Sequence, residues 1–190
     1  MYSIDHKFIE RAESRRLRAY VPQRRDGSVI GRSGVTVATG VDLGQRDRAG
    51  IIALDISDEL KRKLIPYVGL IGMEAVEAIR LRPLFLTERE ATALDKAIHG
   101  RIIRELVRRF ESATGRAFDA IPPEAQTVLA SLAVNFGPAQ LSGMARTWSL
   151  VRSQDWAGLA AWLDVFPGKQ PELKNRRRAE AALLRDIEAT

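Results

Sequence analysis

One segment, residues 87–113, constrains the fold more than any other part of the chain. Its apolar side chains recur every four positions, a spacing that places them on one face of an α-helix. Thr87 and Glu90 open the segment with the T-x-x-E spacing of a capping box, which favours a helix beginning there. The segment therefore predicts a long helix with one buried face. The apolar stripe consists of Leu94, Ile98, Ile102, Leu106 and Phe110.

Helical patterns dominate the chain after about residue 55. Pro122 and Pro123 open a segment that is apolar on nearly all sides, so we expect a central helix there. Shorter helices are predicted after Ser57, over 72–82, after Asp155 and from about residue 171. Residues 1–55 instead combine a predicted helix over 4–19 with strand-like segments. The pattern predicts the α+β class, with a small α/β lobe over 1–55 and an all-helical lobe over 56–190. A cleft between two such lobes is a usual place for a ligand.

The segment "SGVTVATGVDLGQ", residues 33–45, alternates as a strand does, with Val35, Val37, Val41 and Leu43 on one face. Thr36 and Asp42 share the opposite face, but a straight strand would separate them by about 20 Å. Gly40 permits a bend between them. Taken alone, Asp42 is most simply a strand-end residue, and Thr36 and Thr39 reflect β-propensity.

Composition and charge exclude several classes of site. The 190 residues include no cysteine, which rules out disulfides and zinc–thiolate sites, and His6 and His99 have no metal-ligand spacing. The net charge of +6 favours a polyanionic partner, which would be nucleic acid or the bacterial envelope. The simpler alternative is that the charge serves only solubility. No signal-peptide pattern opens the chain, and no apolar stretch is long enough to span a bilayer. We therefore expect synthesis in the cytoplasm without a signal peptide, and no stable membrane insertion.

Glu13 lies late in the predicted first helix, within "RAESRRLRAY". A helical glutamate is most often a solvated surface residue. The neighbouring Arg15, Arg16 and Arg18 would favour its ionised form if they contacted it, whereas a general acid needs a raised pKa. The local sequence alone therefore does not make Glu13 an acid catalyst.

Four motifs together resemble the phage-lysozyme (endolysin) superfamily, and most closely its pesticin-type branch of muramidases. They are "ESRRLRAYVP", "SGVTVATGVDLG", "AQTVLASLAVNFG" and "LKNRRRAEAALL", in this order along the chain. The resemblance implies a single lysozyme-like catalytic domain over 1–190 with a cleft between its lobes. It also implies cleavage of the β-1,4 bond between N-acetylmuramic acid and N-acetylglucosamine in peptidoglycan.

The resemblance also assigns the catalytic residues. Glu13 matches the catalytic glutamate of the family by its spacing to Tyr20, and Thr36 matches the catalytic threonine. Phage lysozymes usually carry an aspartate just after the tyrosine, where this chain has Val21 and Pro22. The pesticin-type branch instead supplies an aspartate a few residues after the threonine, a place that Asp42 fills, with Asp26 as the alternative.

The implied mechanism is inverting glycoside hydrolysis. Glu13 would protonate the leaving oxygen, and Asp42 would activate a water positioned by Thr36 or Thr39. Inversion places the two carboxyl groups about 6.5–9.5 Å apart. No metal or cofactor is required. The substrate-binding residues implied are Thr39, Tyr20 and Asn135.

The biological setting expected is a phage or prophage endolysin that binds peptidoglycan glycan strands as a monomer. It would act in the periplasm or cell wall after release through a holin or another route. One alternative is a bacteriocin or interbacterial toxin with the same chemistry and an immunity protein. Others are a lytic transglycosylase, a non-catalytic wall-binding protein and a basic nucleic-acid-binding protein. Only the charge favours the last of these, so no nucleic-acid partner is expected.

Overall fold

The computed structural model describes residues 2–12, 15–166 and 171–187. A small three-stranded antiparallel sheet accompanies many helices, which confirms the predicted α+β class. The chain forms two compact units, and we call residues 13–99 the sheet unit and residues 1–12 with 100–190 the helical unit. Their boundaries differ from the predicted lobes at 1–55 and 56–190. That all 190 residues form one catalytic domain stays a prediction.

The sheet has the strand order β1-β2-β3. Its strands are β1 (Arg15–Tyr20), β2 (Thr36–Thr39) and β3 (Val41–Asp42). β1 and β2 are antiparallel, and their register shifts between Arg16 and Tyr20, so a bulge lies in β1. Val37 pairs with Val41 across the β2–β3 reversal.

The second edge of β1 is also paired. Arg18 forms an isolated antiparallel bridge with Phe85. The Ala19 N–H donates to the Leu84 carbonyl at 2.9 Å, and the Leu86 N–H donates to the Leu17 carbonyl at 2.8 Å. Residues 84–86 therefore extend the sheet beyond β1, and this pairing assigns them to the same unit.

The predicted helix over 4–19 is wrong in its second half. Helix α1 spans His6–Ala12, and β1 begins at Arg15. The apolar positions lose the helical period after residue 12, since Leu17 follows five positions later. Leu17 and Ala19 are instead the more buried positions of a strand that is hydrogen-bonded on both edges. These long-range bonds outweigh local helix propensity.

The single strand predicted over 35–43 is a reversal between two strands. Gly40 has a φ of 71°, and the chain turns there between β2 and β3. Ala38 also adopts a positive φ, 54°. The bend that the sequence analysis allowed at Gly40 is thus a complete reversal, and it preserves the shared face of Thr36 and Asp42 because the two residues pair directly.

Helices complete the sheet unit. Asp47 and Ser57 cap α2 and α3, each accepting a backbone N–H from the first turn of its helix. At α5, Thr87 Oγ1 accepts from the Glu90 N–H at 3.2 Å and Glu90 Oε2 accepts from the Thr87 N–H at 2.7 Å, which confirms the predicted capping box. The helices are α2 (Arg48–Ile52), α3 (Asp58–Leu64), α4 (Gly72–Leu81) and residues 88–99 of α5 (Glu88–Thr114), with 3-10 turns at Leu43–Gln45 and Ile65–Tyr67.

The helical unit packs around the predicted central helix, whose residues 125–133 are all buried. The N-terminal segment joins this core, because the Ser3 N–H donates to Gln126 Oε1 at 2.8 Å and Ile9 is fully buried. Its helices are α1, residues 100–114 of α5, α6 (Pro123–Phe136), α7 (Pro138–Gly143), α8 (Ala145–Ser153), α9 (Trp156–Asp164) and α10 (Pro171–Arg185), with a 3-10 turn at Phe118–Ala120. Across the described segments, no helix combines the length and apolarity needed to cross a membrane.

The capping box at α5 predicts a pH-dependent contribution from Glu90. Burial raises the pKa of Glu90, but hydrogen bonds from Thr87 and Lys63 outweigh it and hold the pKa below its ordinary value. The carboxylate therefore stabilises the fold fully above about pH 4.3, and this contribution disappears as the pH falls through the lower, folded-state pKa. We expect Glu90→Gln to lower the free energy of unfolding by about 1 kcal/mol at pH 7 and by progressively less below pH 4.

Chemical denaturation of the wild type and Glu90→Gln between pH 7 and pH 3 measures this difference. Glu59→Gln is the matched control, because Glu59 is exposed in the first turn of α3. A stability difference for Glu90→Gln that stays constant down to pH 3 contradicts the prediction.

Candidate functional site

Three of the residues predicted for the site form one row across the sheet. Tyr20 of β1 pairs with Thr36 of β2, and Thr36 pairs with Asp42 of β3. Directly opposed residues in antiparallel strands project from the same face with Cβ atoms about 4.5–5.5 Å apart. The guanidinium of Arg16 lies 4.3 Å from the centre of the Tyr20 ring. The reversal at Gly40 thus places Asp42 beside Thr36, whereas a straight strand would separate these two residues by about 20 Å.

Two backbone N–H groups hold the carboxylate of Asp42. Oδ1 accepts from the Gly44 N–H at 2.8 Å, and Oδ2 accepts from the Gly34 N–H at 3.2 Å. Asp42 also serves as the N-cap of the 3-10 turn that follows. Its side chain is half-buried. An ionised carboxylate has about four acceptor positions, so Asp42 can still accept a hydrogen bond from a water while both amides are bound.

The two glycines beside Asp42 are required by close packing. A Cβ on Gly34 would lie 2.5 Å from both the Gly44 Cα and the Leu70 carbonyl oxygen. A Cβ on Gly44 would lie 2.4 Å from the same oxygen. Since all of these neighbours are backbone atoms, no side-chain rotation can make room. Only glycine at both positions lets the segments before β2 and after β3 come this close to each other beside Asp42.

The two threonine hydroxyls have different partners. Thr36 Oγ1 donates to the Gly34 carbonyl at 3.1 Å. Thr39 Oγ1 donates to Asp95 Oδ2 at 2.7 Å, while the Thr39 N–H donates to Asp95 Oδ1 at 3.0 Å. All three side chains are buried. Thr36 thus belongs to the row with Asp42, and Thr39 is bound to helix α5.

Asp26, the alternative second carboxylate, lies in an exposed turn. Its Oδ1 accepts from the Ser28 hydroxyl at 2.6 Å and from the Ser28 N–H at 2.9 Å. These two hydrogen bonds lower the pKa of Asp26, and the bond from the Ser28 hydroxyl has the larger effect. This pattern is that of an aspartate that closes a local turn.

Asn135, predicted to bind substrate, lies near the end of α6 in the helical unit. Its Oδ1 accepts from Arg177 Nη2 at 2.9 Å. Arg177 also pairs with Glu180 at 3.0 Å, and Glu180 accepts from the Ser131 hydroxyl at 2.5 Å. Burial raises the pKa of Glu180, opposed by Arg177, Ser131 and Arg176. The "LAVNFG" and "NRRRAE" segments are thus joined by a buried polar network.

Glu13, the predicted general acid, lies outside the described residues. The arginines that follow it have partners within the sheet unit. Arg15 pairs with Glu88 at 2.9 Å and donates to Thr92 Oγ1 at 2.8 Å, and the guanidinium of Arg18 lies 5.6 Å from the centre of the Phe85 ring. The catalytic roles of Glu13, Asp42 and Thr36 stay predictions.

Sequence reasoning missed Asp95. It follows Leu94 directly, at the border of the apolar stripe of α5, and is 4% exposed. An acid that borders a buried stripe must find hydrogen-bond donors, which was the available signal. The partner could not be named from sequence, because Thr39 lies 56 positions away. Among the described residues, no group of three or more His, Cys, Asp or Glu side chains could hold a metal ion.

One comparison with known proteins identifies a family. The family described as "Pesticin: Bacterial toxin homologue of phage lysozyme, C-term" matches residues 3–157. The match includes the whole sheet, its row of Tyr20, Thr36 and Asp42, and helix α6 with Asn135. No curated protein matches the chain.

The close packing at Asp42 predicts that replacing either neighbouring glycine destabilises the fold. We expect Gly44→Ala to lower the free energy of unfolding by about 1–3 kcal/mol, because the new methyl group overlaps backbone atoms. Gly143→Ala is the matched control, since no heavy atom lies within 4 Å of its Cβ position. Thermal and chemical denaturation measure both variants. Equal stabilities of Gly44→Ala and the wild type would contradict the described packing.

Proposed function

The chain belongs to the pesticin family of bacterial toxin homologues of phage lysozyme, and from this membership we propose that it is a muramidase. The membership makes it a lysozyme-like protein and supports glycoside hydrolysis of peptidoglycan. The finer proposal is cleavage of the β-1,4 bond between N-acetylmuramic acid and N-acetylglucosamine, with inversion at the anomeric carbon. No metal or cofactor takes part in this proposal.

The observation that supports the proposal is the row formed by Tyr20, Thr36 and Asp42. A general base must hold a water against one face of the sugar, and this requires an acceptor and a second polar group close together. The β2–β3 reversal supplies both from adjacent strands. The amides of Gly34 and Gly44 fix the Asp42 carboxylate in one orientation. Preorganised orientation of this kind lowers the barrier to attack by water.

The proposed roles divide between two carboxyl groups. Glu13 protonates the oxygen of the leaving sugar, and Asp42 accepts a proton from the attacking water. Thr36 lies beside Asp42 and helps to position that water. Thr39, Tyr20 and Asn135 are the proposed substrate contacts, although the Thr39 hydroxyl proton is committed to Asp95 in this structure.

The proposed partner is the glycan strand of peptidoglycan, bound by a monomer. The net charge of +6 supports attraction to an anionic cell wall, mainly through the rate of encounter. We place the activity in the periplasm or cell wall after synthesis in the cytoplasm. The simplest setting is an endolysin that a holin or another route releases.

A second setting, a bacteriocin or interbacterial toxin, is favoured by the family description, which names a bacterial toxin. Both settings use the same chemistry, so activity on purified peptidoglycan cannot separate them. The neighbouring genes can separate the two settings. A holin gene supports the endolysin, and a gene for a protein that binds and inhibits this chain supports the toxin.

Digestion of purified peptidoglycan tests the enzymatic proposal. We expect the wild type to release fragments with a reducing N-acetylmuramic acid end, identified by mass after reduction. Glu13→Gln should lower the rate by about 10²-fold or more, because the amide cannot protonate the leaving oxygen. Glu10→Gln, an exposed position on α1, is the matched control and should keep wild-type activity. Proton NMR of the first product should show the α-anomer, as inversion requires.

Three results would change the proposal. Anhydromuramic products from the wild type identify a lytic transglycosylase and remove the water-activating role of Asp42. A first-formed β-anomer identifies a retaining enzyme. A folded wild type that binds peptidoglycan without cleaving it identifies a wall-binding protein.

The second carboxylate can be assigned by comparing Asp42→Asn with Asp26→Asn. We expect Asp42→Asn to lower kcat by about 10²–10⁴-fold, because its amide is a poor base. Asp26→Asn should retain activity, since Asp26 closes a local turn. In Asp42→Asn, the side-chain NH2 group faces a backbone N–H, so two donors meet and the hairpin is destabilised. Circular dichroism must therefore show that this variant is folded. The reverse pattern of activities would transfer the role to Asp26.

A further inference from the structure

We propose that Asp95 is a positioning residue that holds the β2–β3 reversal, and with it Thr36 and Asp42, in the arrangement used for catalysis. This inference rests on the proposed function. Asp95 lies on helix α5, whereas Thr36 and Asp42, the two residues that it would position, lie on the sheet. It therefore acts through Thr39 and does not touch the reacting atoms.

Both carboxylate oxygens of Asp95 accept hydrogen bonds from Thr39. Oδ1 accepts the backbone N–H of Thr39 at 3.0 Å, and Oδ2 accepts its hydroxyl at 2.7 Å. Asp95 is 4% exposed and Thr39 is 3% exposed, so water does not compete well for either bond. Two bonds to one residue fix the direction of the backbone at Thr39 as well as its distance from α5.

The reversal contains backbone strain that its surroundings must hold in place. Ala38, directly before Thr39, has a φ of 54°, and Gly40, directly after it, has a φ of 71°. Positive φ is uncommon for a residue with a Cβ and persists only where the surroundings enforce it. β3 has only two residues, so the ladder between β2 and β3 supplies little restraint of its own. On the other side of β2, Arg16 and Arg15 of β1 pair with Ala38 and Thr39. Asp95 adds a restraint from α5 at Thr39, the residue between the two left-handed positions.

The restraint is transmitted to the row over a short distance. Thr36 and Thr39 belong to the same four-residue strand, and Asp42 is paired with Thr36. Release of Thr39 would let Ala38 relax toward a negative φ, which moves the strand end and the paired β3. A displacement of about 1 Å at catalytic groups can cost about 10²-fold in rate. Contacts made by distant sugar units would be little affected, so the loss should appear in kcat more than in KM.

Kinetics of Asp95 variants on soluble peptidoglycan fragments test the inference. We expect Asp95→Ala to lower kcat by about 10²-fold with KM changed by less than about threefold. Asp95→Asn should recover part of kcat, because its oxygen can accept the Thr39 N–H and its NH2 can donate to Thr39 Oγ1. Adding Ala38→Gly to Asp95→Ala should also recover part of kcat, since glycine adopts a positive φ without strain.

Ser57→Ala is the matched control for a general loss of stability. Ser57 caps α3 in the same unit through one hydrogen bond to the Leu60 N–H at 3.2 Å. It should reduce stability without a comparable loss of kcat. The rates of all variants are compared at temperatures where circular dichroism shows each to be fully folded.

The inference and the proposed function fail in different ways. A wild type without glycosidase activity overturns the proposed function, and amide resonances of residues 36–42 then test the restraint directly. Unchanged resonances there in Asp95→Asn and Asp95→Ala overturn the positioning role. So does an active wild type whose Asp95→Ala variant keeps the kcat of Ser57→Ala. If Asp95→Ala does not fold, Thr39→Val, which removes only the hydroxyl bond, must show the same selective loss of kcat.

Discussion

The arrangement of the sheet depends on the close approach of Gly34 and Gly44. Their backbones come so near to each other and to the Leu70 carbonyl that neither could carry a side chain. That approach brings two N–H groups to the carboxylate of Asp42. Asp42 thereby closes the hairpin as an acceptor for the backbone at both of its ends. Stability of the hairpin and orientation of the carboxylate are two results of the same packing.

Two buried acids, Asp95 and Glu180, also connect separate elements of the fold. Asp95 accepts the N–H and the hydroxyl of Thr39 at the end of β2. Glu180 joins α6 to α10 through Ser131 and two arginines. A buried carboxylate is costly unless its oxygens find donors. In each unit at least one donor comes from an element far away in sequence: Thr39 for Asp95 and Ser131 for Glu180. These acids therefore determine which elements meet, in addition to the apolar contacts that drive burial.

The helices and their ends could be predicted from sequence because their signals are local. Thr87 with Glu90, Ser57 and Asp155 all cap helices as their spacing predicts. β1 could not be predicted, since its strand character comes from hydrogen bonds to residues 36–39 and 84–86, far along the chain. The compact units differ from the predicted lobes, because they follow from such contacts between distant residues.

At the candidate site, the even spacing of Thr36 and Asp42 predicts their shared face but not the distance between them. An even spacing puts two residues on one face both in a straight strand and in a hairpin paired about a central turn. The positive φ angles at Ala38 and Gly40 and the pairing of Thr36 with Asp42 identify the hairpin. The partner of Asp95 could not be predicted, because its bond to Thr39 spans 56 positions.

The pairing of β1 on both edges bears on how this protein behaves at high concentration. Unpaired strand edges are templates for β-pairing between molecules. Here residues 84–86 cover one side of β1, β2 covers the other, and β3 at the far side of the sheet has only two residues. Within the described segments, the sheet therefore presents no long free edge on which a second chain could add a strand. A protein built in this way can accumulate in a crowded compartment with little tendency to form intermolecular β-structure.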